Sequence, residues 1–411
     1  MSATDDIELQ EIPQNAHEWS YSGEGNAKMV FAYTGSVPEL RGWLLRLEKS
    51  ASTSTPTALD AELRRQHDTT VFSTQVIGSL LGRAYILQQR LVRVTRAFLA
   101  DLGSRARAQR PAHRTHQQID PQQRVGVLMP NMLQSSLDAS TSTVTVELKP
   151  KWGFLPTSPA IARGNQVKRR VCRYCMHQCL KQSSAPPSHF CPLDLFSASQ
   201  ARIAHALGCL ERSPQNNMRV FVDGVLVSSD CGVDVGRVPQ WDALKNAVAR
   251  ILGEERVLVR LAELQRALDP LDIEGVFPVY RRAVDVGEMA DSEPTLRDWV
   301  QAADVFHRRT QVSGDDRSGD QQTECPLSSD KQKVLEFLLS TVLKDVSAMI
   351  MVKQWPPHQP SDELPEYQIA IVDTEPKKLS KMEWHRDRYQ SIVSKYLELH
   401  PDPESQKQCY E

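Results

Sequence analysis

The sequence has no apolar run of about eighteen residues, the minimum with which a helix crosses a bilayer. The stretch Met1–Gln14 is acidic and polar and lacks the apolar centre of a secretory signal. Eight cysteines are scattered over 411 residues without the compact spacing of a disulfide framework. These absences predict a soluble intracellular protein, nuclear or cytoplasmic or both, that does not contact membranes.

Acidic residues are absent from one long stretch of the chain. Residues 149–193, which we call the second basic tract, contain no Asp or Glu, although the whole chain has a formal net charge of only −2. The tract carries eight cations: Lys149, Lys151, Arg163, Lys168, Arg169, Arg170, Arg173 and Lys181. The first basic tract, residues 83–114, holds eight Arg against the single acid Asp101. A local positive field in a near-neutral protein is typical of a site for a small, dense polyanion.

The patterns of apolar residues predict strands at 19–33, 43–47, 124–129, 143–148, 347–352 and 367–372, with a hairpin at 219–227. Helical spacing dominates 70–102, 167–181, 241–268 and 381–399, and residues 310–330 are polar. Strands that come first and helices that come later predict an α+β enzyme with a smaller N-terminal lobe.

A glycine-containing turn lies between the first two predicted strands. Its residues Gly23, Glu24, Gly25 and Asn26 would let backbone amides approach phosphate oxygens, although a plain hairpin turn explains them as well. Arg46 follows on the next strand, where a cation could reach the same phosphates. Either feature alone is weak evidence for a nucleotide site.

Two acids stand at the ends of late strands. Asp345 precedes the strand that contains Met349, and Asp373 ends the strand 367–372. Carboxylates at strand ends that face a cleft can bind Mg²⁺ or accept a proton from an attacking hydroxyl. Each acid taken singly is better explained as a turn residue that closes a strand.

The spacing of Cys172, Cys175, Cys179, His189 and Cys191 contains residue types that bind zinc. No second CxxC pair follows, and the cysteines alternate with Arg and Lys. We therefore favour buried thiols on a helix over a structural zinc site.

The sequence resembles the inositol-pentakisphosphate 2-kinase family. The resemblance rests on segments that occur in order over most of the chain: Gly23-Glu24-Gly25, VELKPKWGFLPTS (146–158), CRYCMHQ (172–178), PLDLFS (192–197), PQNNMRVF (214–221), LDIEG (271–275) and KDVSAMI (344–350). It implies a divergent, bilobal, protein-kinase-like α+β fold of the inositol polyphosphate kinase type, with an inositide-binding region in the C-lobe. The implied N-lobe covers residues 1–132 and the C-lobe residues 133–411.

The resemblance also implies roles for individual residues. On the nucleotide side it places the glycine turn (Gly23, Glu24, Gly25, Asn26), Arg46, the hinge residues Met129 and Asn131, Glu147, Met349 and Asp373. Around the inositol phosphates it places Arg114, Lys149, Lys151, Arg173, His177, Lys181, Asn217, Arg219, Lys377 and Lys381. Asp345 would take the proton of the 2-hydroxyl with Lys149 beside it, and Asp345 and Asp373 would hold magnesium.

These expectations make ATP and Mg²⁺ the cofactors and inositol pentakisphosphate the substrate, acted on by a monomer. A pentakisphosphate carries about −8 to −10 at pH 7, which matches the need for many convergent cations.

Three alternatives were weighed. A catalytically inert inositol-phosphate-binding protein is disfavoured because Asp345 and Asp373 are both present. A nucleic-acid binder is disfavoured because the basic tracts lack interleaved aromatic residues for base stacking. A protein kinase is disfavoured because the HRD and DFG sequences are absent.

Overall fold

The computed structural model describes residues 7–50, 58–134, 142–181, 188–229, 231–289, 292–315, 329–356 and 363–411. These residues form two five-stranded antiparallel sheets and a large set of helices, so the predicted mixture of α and β structure is confirmed. Among the described residues, no helix has both the length and the apolar character needed to cross a membrane.

The first sheet is built by the N-terminal third of the chain, in the order β1-β2-β3-β5-β4. Its strands are β1 (Trp19–Glu24), β2 (Lys28–Tyr33), β3 (Trp43–Glu48), β4 (Arg90–Arg93) and β5 (Val125–Pro130). Met29, Phe31 and Tyr33 alternate along β2 and are buried, because successive side chains of a strand point to opposite faces. They pack in one cluster with Phe98 and Leu102 of a covering helix.

The N-terminal third of the chain also contains three helices: α1 (Leu59–Val71), α2 (Gly78–Leu81), whose Leu80 and Leu81 belong to the core of the second sheet, and α3 (Arg96–Ala106). A π-helical segment, Phe72–Ile77, joins α1 to α2. The prediction that residues 70–102 are mainly helical is confirmed, although the stretch is divided into several helices. Gly82 at φ +119° ends α2, and β4 occupies positions where we predicted helix.

The second sheet has the order β12-β11-β6-β7-β8. The strands after residue 140 are β6 (Thr143–Leu148), β7 (Met218–Val222), β8 (Val225–Leu226), β9 (Ser228–Ser229), β10 (Gly232–Val233), β11 (Ser347–Lys353) and β12 (Tyr367–Val372). The short strands β9 and β10 pair with each other. The sequence predicted β6 and β12 with their observed bounds and β11 to within one residue.

Nine further helices enclose the second sheet in the described residues: α4 (Arg173–Lys181), α5 (Pro192–Leu195), α6 (Gln200–Arg212), α7 (Trp241–Glu255), α8 (Val257–Ala267), α9 (Asp272–Asp285), α10 (Leu296–Asp315), α11 (Asp330–Leu343) and α12 (Met382–Leu399). Their apolar faces and the inner strands β6 and β11 form the largest core cluster. The helix predicted over 241–268 is two helices, since Arg256 adopts φ 54° between them. Most of the polar stretch predicted at 310–330 lies outside the described residues.

Candidate active site

The candidate site lies at one end of the second sheet. The strands β6 and β12 run toward this end and β11 runs away from it, because β11 is antiparallel to both. Lys149 follows directly after β6, Asp373 follows directly after β12, and Asp345 stands two residues before β11. Three residues that are far apart in sequence are thereby brought to the same end of the sheet.

The two acids are paired with lysines at this end. Lys149 Nζ lies 3.0 Å from Asp373 Oδ2. Asp345 contacts two cations: Lys377 Nζ is 2.6 Å from Oδ2, and Lys151 Nζ is 3.4 Å from Oδ1. The side chains of Asp345 and Asp373 remain 52% and 53% exposed, so both carboxylates are accessible to a ligand.

The neighbouring lysines favour the ionised form of Asp345. Partial burial would raise the pKa of Asp345, but the charges of Lys377 and Lys151 outweigh it and lower the pKa below the ordinary carboxyl value. Burial would lower the pKa of Lys149, and the charges of Asp373 and Glu147 outweigh it and raise the pKa. Asp345 is therefore a carboxylate and Lys149 an ammonium at neutral pH, the states needed to accept a proton and to attract phosphate.

Two of these residues have an unusual backbone conformation. Lys151 has φ 65° and Asp373 has φ 63°, both in the left-handed region. Side-chain-bearing residues adopt this region at a cost of about 1–3 kcal/mol, and such conformations cluster at functional sites. The left-handed residue stands directly after β12 at Asp373 and three residues after β6 at Lys151.

Ser347, the first residue of β11, was not identified from the sequence and connects two of the predicted site residues. Its Oγ donates a hydrogen bond to Glu147 Oε1 at 2.9 Å and lies 3.2 Å from Asp373 Oδ2. Arg219 Nη1 approaches the other oxygen of Glu147 at 3.6 Å. Glu147, Ser347 and Asp373 thus present a cluster of oxygen atoms, which is the ligand type that Mg²⁺ prefers.

A pocket beside this oxygen cluster lies between the two sheets. It is lined from the first sheet by Arg46 and Met129 and from the second by Val372 and Asp373. Glu375, which was not identified from the sequence, forms an ion pair with Arg46, with its Oε1 atom 3.5 Å from Arg46 Nη1. The Nε atom of Arg46 is buried and has no hydrogen-bond partner among the described residues.

One wall of the same region is apolar. Met129, Met349 and Val372 pack against a small buried cluster formed by Leu87, Met132, Met351 and Ala370. The residues of this apolar wall come from both sheets, and most of them are methionines. Flexible, polarizable side chains of this kind suit contact with a flat aromatic ring. Asn131 belongs to the adjoining turn, where its Oδ1 accepts a hydrogen bond from the amide of Leu133 at 2.9 Å.

The predicted glycine turn lies where β1 meets β2: Gly23 and Glu24 are the last residues of β1, and Gly25 and Asn26 belong to the connection. A Cβ atom placed on Gly23 or Gly25 would meet nothing within 4 Å, so the turn is open on its outer side. Asn26 is exposed at the tip. The Glu24 carboxylate points the other way and is buried in an ion cluster with Lys49 and Arg110.

That ion cluster anchors the glycine turn to the first basic tract. Arg110 Nε donates to Glu24 Oε1 at 2.8 Å, and Lys49 Nζ donates to the Gly25 carbonyl at 2.7 Å. Arg114, predicted for the substrate side, donates from Nη1 to the Glu24 carbonyl at 2.8 Å. Glu24 and Arg114 therefore both contact the protein itself and hold the turn in place.

Arg173, the first residue of α4, lies between two aromatic rings. Its guanidinium carbon is 4.1 Å from the centre of the Trp152 ring and 4.3 Å from that of Tyr389. Its Nε atom is buried without a hydrogen-bond partner among the described residues, and burial lowers the pKa of the side chain. Planar stacking of this kind fixes the direction of the guanidinium fork while leaving its donors available.

Other cations of the second basic tract are already bonded to other groups of the protein. Lys168 is buried and bonded to Asp272 and Glu274, the second contact at 2.9 Å. Arg169 and Arg170 donate hydrogen bonds to protein oxygen atoms at 2.7 Å and 3.0 Å. The tract therefore does not act as one continuous positive field.

The remaining predicted inositide contacts lie around α4 and β7. His177 Nε2 is 2.8 Å from a guanidinium nitrogen of Arg388 on α12. Asn217 is buried and donates from its amide to the Tyr174 hydroxyl at 2.8 Å. Its backbone carbonyl accepts from the amide of Lys149 at 2.8 Å, so Asn217 supports the residue that follows β6.

Two predicted contacts lie at the margin of this region. Lys381 is exposed at the end of a short 3₁₀ turn before α12. Lys181 ends α4, and its side chain lies outside the part of the chain that the structure describes.

Comparison with known families gives a match that covers this whole arrangement. The model of the family described as inositol-pentakisphosphate 2-kinase matches residues 21–390. The chain belongs to this family. The match begins in β1 and ends in α12, so both sheets, the pocket between them and the paired acids all lie inside it.

Members of the inositol-pentakisphosphate 2-kinase family from distant organisms align with most of the chain. The Arabidopsis thaliana inositol-pentakisphosphate 2-kinase is 27% identical over 93% of this chain and 94% of its own length. The Oryza sativa subsp. indica enzyme is 28% identical over 88% of this chain and 86% of its own length. The Danio rerio enzyme is 33% identical over 58% of this chain and 49% of its own length. The family resemblance inferred from the sequence motifs is thereby confirmed.

Proposed function

We propose that this member of the inositol-pentakisphosphate 2-kinase family transfers the γ-phosphoryl group of ATP to the 2-hydroxyl of inositol 1,3,4,5,6-pentakisphosphate. The products are inositol hexakisphosphate and ADP. The observation that carries the proposal is the pair of half-exposed acids at one end of the second sheet, each held by lysine. One acid adjoins the pocket between the sheets, and the other stands beside the cations Lys151 and Lys377.

Asp345 is the proposed general base. Its lowered pKa keeps it deprotonated at neutral pH, so it can accept the proton of the 2-hydroxyl as that oxygen attacks the γ-phosphorus. A bond forms between the hydroxyl oxygen and phosphorus, and the bond from phosphorus to the β–γ bridging oxygen breaks with its electron pair passing to ADP. Lys149 lies beside this path and can stabilise the charge on the transferred group.

Asp373, Glu147 and Ser347 fit a magnesium site. Their oxygen atoms converge within hydrogen-bond distance of one another, and Asp373 also lines the pocket between the sheets. Magnesium bound there would supply positive charge to the β- and γ-phosphates. Asp345 is the further candidate ligand, since it stands at the same end of the sheet.

The nucleotide would occupy the pocket between the sheets. The methionine-rich wall formed by Met129 and Met349 is suited to adenine, and Arg46 reaches into the pocket from β3. The open outer side of the glycine turn supports an approach of backbone amides to phosphate oxygens. Glu24 contributes by anchoring this turn, since its carboxylate is buried in protein contacts.

The inositol phosphates would bind where Lys149, Lys151, Lys377 and Arg173 converge. Lys151 and Lys377 can exchange their contacts with Asp345 for phosphate oxygens, and Arg173 has guanidinium donors held in one direction by stacking. Many charged contacts would fix the orientation of the ring, so that one hydroxyl faces the γ-phosphate. A substrate that lacks a phosphate would leave cations unpaired, which gives discrimination by phosphate number.

The architecture agrees with a bilobal, kinase-like organisation. The first sheet would form the N-lobe over residues 1–132, and the second sheet with its helices the C-lobe over residues 133–411. The pocket lined by both sheets at Arg46 and Asp373 supports a nucleotide site between the lobes.

The test is incubation of the purified chain with ATP, Mg²⁺ and inositol pentakisphosphate, with products separated by anion-exchange chromatography. We expect inositol hexakisphosphate whose new phosphate is assigned to position 2 by phosphorus NMR. Inositol tetrakisphosphates should turn over more slowly. Tight inositide binding without turnover would instead support the inert binding protein, and transfer to protein substrates would contradict the proposal.

A further inference from the structure

A buried glutamine lies on the apolar face of α8. The residues of this helix that pack into the core are Val257, Leu258, Leu261, Leu264 and Gln265, so Gln265 is the polar member of an apolar set. Its side chain and backbone are 0% exposed. Burying an amide is costly unless its polar atoms find hydrogen-bond partners inside the protein. The partners of Gln265 therefore indicate the role of this residue.

The Gln265 side chain bonds to two segments of the chain that meet beside the candidate active site. Its Nε2 atom donates to the Lys151 carbonyl at 3.0 Å and to the Leu343 carbonyl at 2.9 Å. Its Oε1 atom accepts from the amide of Gly153 at 2.8 Å. Only Asn and Gln carry two N–H donors and an acceptor oxygen at the end of one side chain, and Gln265 uses all of them.

The first of these segments follows β6 and carries two groups of the proposed inositide site. The bonds to the Lys151 carbonyl and to the Gly153 amide hold the peptide groups on both sides of Trp152. The Trp152 ring in turn stacks on the guanidinium of Arg173 at 4.1 Å. Gln265 thereby fixes the backbone that supports both the Lys151 ammonium and the ring that orients Arg173.

The second segment leads from α11 to the proposed general base. Leu343 is the last residue of α11, where the carbonyl groups have no hydrogen-bond partner within the helix. Gln265 supplies a donor there, and Asp345 follows two residues later. Lys344, between them, is buried and pairs with Asp269 at 2.5 Å, four residues after Gln265. The end of α8 therefore holds both the backbone and a side chain of the segment that presents Asp345.

We propose that Gln265 is a positioning residue for phosphoryl transfer, which fixes the place of Lys151 relative to Asp345 through the backbone. The inference rests on the function proposed above. Gln265 is fully buried, so it acts through these two residues and not by contact with a ligand. Lys151 Nζ and Asp345 Oδ1 are 3.4 Å apart. A shift of one segment against the other would move the phosphate-binding lysine away from the base, and a misplacement of about 1 Å can cost about 100-fold in rate.

Steady-state kinetics of Gln265→Met in the full chain tests the proposal. Methionine keeps the buried space filled but removes the three side-chain hydrogen bonds of Gln265. We expect kcat to fall by about 10- to 100-fold. The KM for inositol pentakisphosphate should rise, because Lys151 and the ring beside Arg173 lose their support. The KM for ATP should stay unchanged, since none of these three bonds leads to the pocket between the sheets.

Gln332→Met is the matched control. Gln332 is also buried, in the first turn of α11, at the end opposite to Leu343. Its Nε2 atom donates to the Ala302 carbonyl at 2.9 Å and to Glu336 Oε1 at 2.8 Å. Gln332→Met should lower Tm, as Gln265→Met does, but leave kcat and both KM values unchanged. Gln265→Asn keeps the amide on a shorter side chain that cannot reach both segments, so it should show the kinetic pattern of Gln265→Met with a smaller fall in kcat.

Several outcomes would overturn the proposal. Wild-type kcat and KM in a folded Gln265→Met would do so, and so would an equal fall of kcat in Gln332→Met, which would trace the loss to stability. If Gln265→Met does not fold, Gln265→Asn decides. If neither folds, Gln265 supports the whole fold and the proposal is again overturned.

Failure of the proposed function would be recognised separately. A wild-type chain that does not phosphorylate inositol pentakisphosphate would contradict that function, and the positioning of Lys151 would then be judged by calorimetric titration. Weaker binding of inositol pentakisphosphate to Gln265→Met than to Gln332→Met would support the positioning role, and equal binding would overturn it.

Discussion

The first and second basic tracts carry eight cations each, yet their surroundings in the fold differ. In the first tract, Arg110 is buried against Glu24, which is itself buried. In the second tract, Lys149 and Lys151 pair with acids that are themselves half exposed. Cation content alone therefore does not mark a ligand site.

The exposure of the acidic partner distinguishes the two cases. A cation that meets a buried carboxylate is fixed, because separating the pair would leave an uncompensated charge in a low-dielectric environment. A cation that meets an exposed carboxylate can exchange it for phosphate at little cost, since both charges remain partly hydrated. By this criterion Lys168 groups with Arg110, and Lys149, Lys151 and Lys377 form the adaptable set.

The largest effect is expected from a substitution of Asp345. Asp345→Asn removes the proposed proton acceptor while preserving side-chain size, so kcat should fall by about 10²- to 10⁴-fold with substrate binding retained. Glu366→Gln is the matched control, because Glu366 pairs with Lys353 at 2.6 Å and is 59% exposed just before β12, at the opposite end of the sheet. It should leave kcat unchanged. Steady-state kinetics with both variants checks this, and an Asp345→Asn enzyme with more than a tenth of wild-type kcat would refute the assignment.

The next effect compares two cations of the second tract: Lys168, which is paired with a buried acid, and Arg173, which lies between aromatic rings. Lys168→Met leaves Asp272 and Glu274 without their buried partner and should lower the free energy of unfolding by about 3–5 kcal/mol. Arg173→Met keeps the aromatic neighbours covered and should cost less stability while weakening inositide binding. Urea denaturation and calorimetric titration with inositol pentakisphosphate measure the two effects. Equal losses of stability would break the distinction drawn here.

The sequence could predict those site residues that lie next to strands with a clear apolar pattern. The apolar runs of β6, β11 and β12 fixed the positions of Lys149, Asp345 and Asp373 to the ends of strands, and the structure brings these ends together. Local pattern suffices there because these strands are largely buried and carry polar residues at their ends.

Residues whose role depends on long-range contact could not be predicted. Nothing near Lys168 in sequence shows that Asp272 will bury it, and nothing near the CxxC pair indicates that Cys409 lies buried beside it. Ser347 and Glu375 are ordinary polar residues until the sheet places them against Asp373 and Arg46. Such contacts arise from tertiary packing, so only the fold exposes them.

A smaller effect distinguishes the cation that binds ATP from the cation that binds the inositol phosphate. Arg46→Ala should weaken ATP binding by about 10- to 100-fold and leave inositide binding unchanged, since Arg46 lines only the pocket between the sheets. Lys149→Ala should weaken inositide binding by a similar factor and affect ATP less. Calorimetric titration of each variant with each ligand measures this partition. A parallel loss for both ligands in both variants would show that the two cations serve one shared site.

The smallest expected effect is a change in the pKa of His385, which is sensitive to the charge of Arg173. The pKa of His385 is lowered to about 4, mainly by burial and next by the charge of Arg173. The unfolded chain protonates its histidines near pH 6.5, before the folded His385 does, so the free energy of unfolding should fall as pH decreases from 6.5 to 4. In Arg173→Met the pKa should rise but stay below 6.5, because burial remains. The imidazole NMR titration, assigned with His385→Gln, measures the shift. An unchanged pKa in Arg173→Met would mean that the Arg173 charge is already neutralised in the folded protein, and Arg173 would then not be available to bind the inositol phosphates.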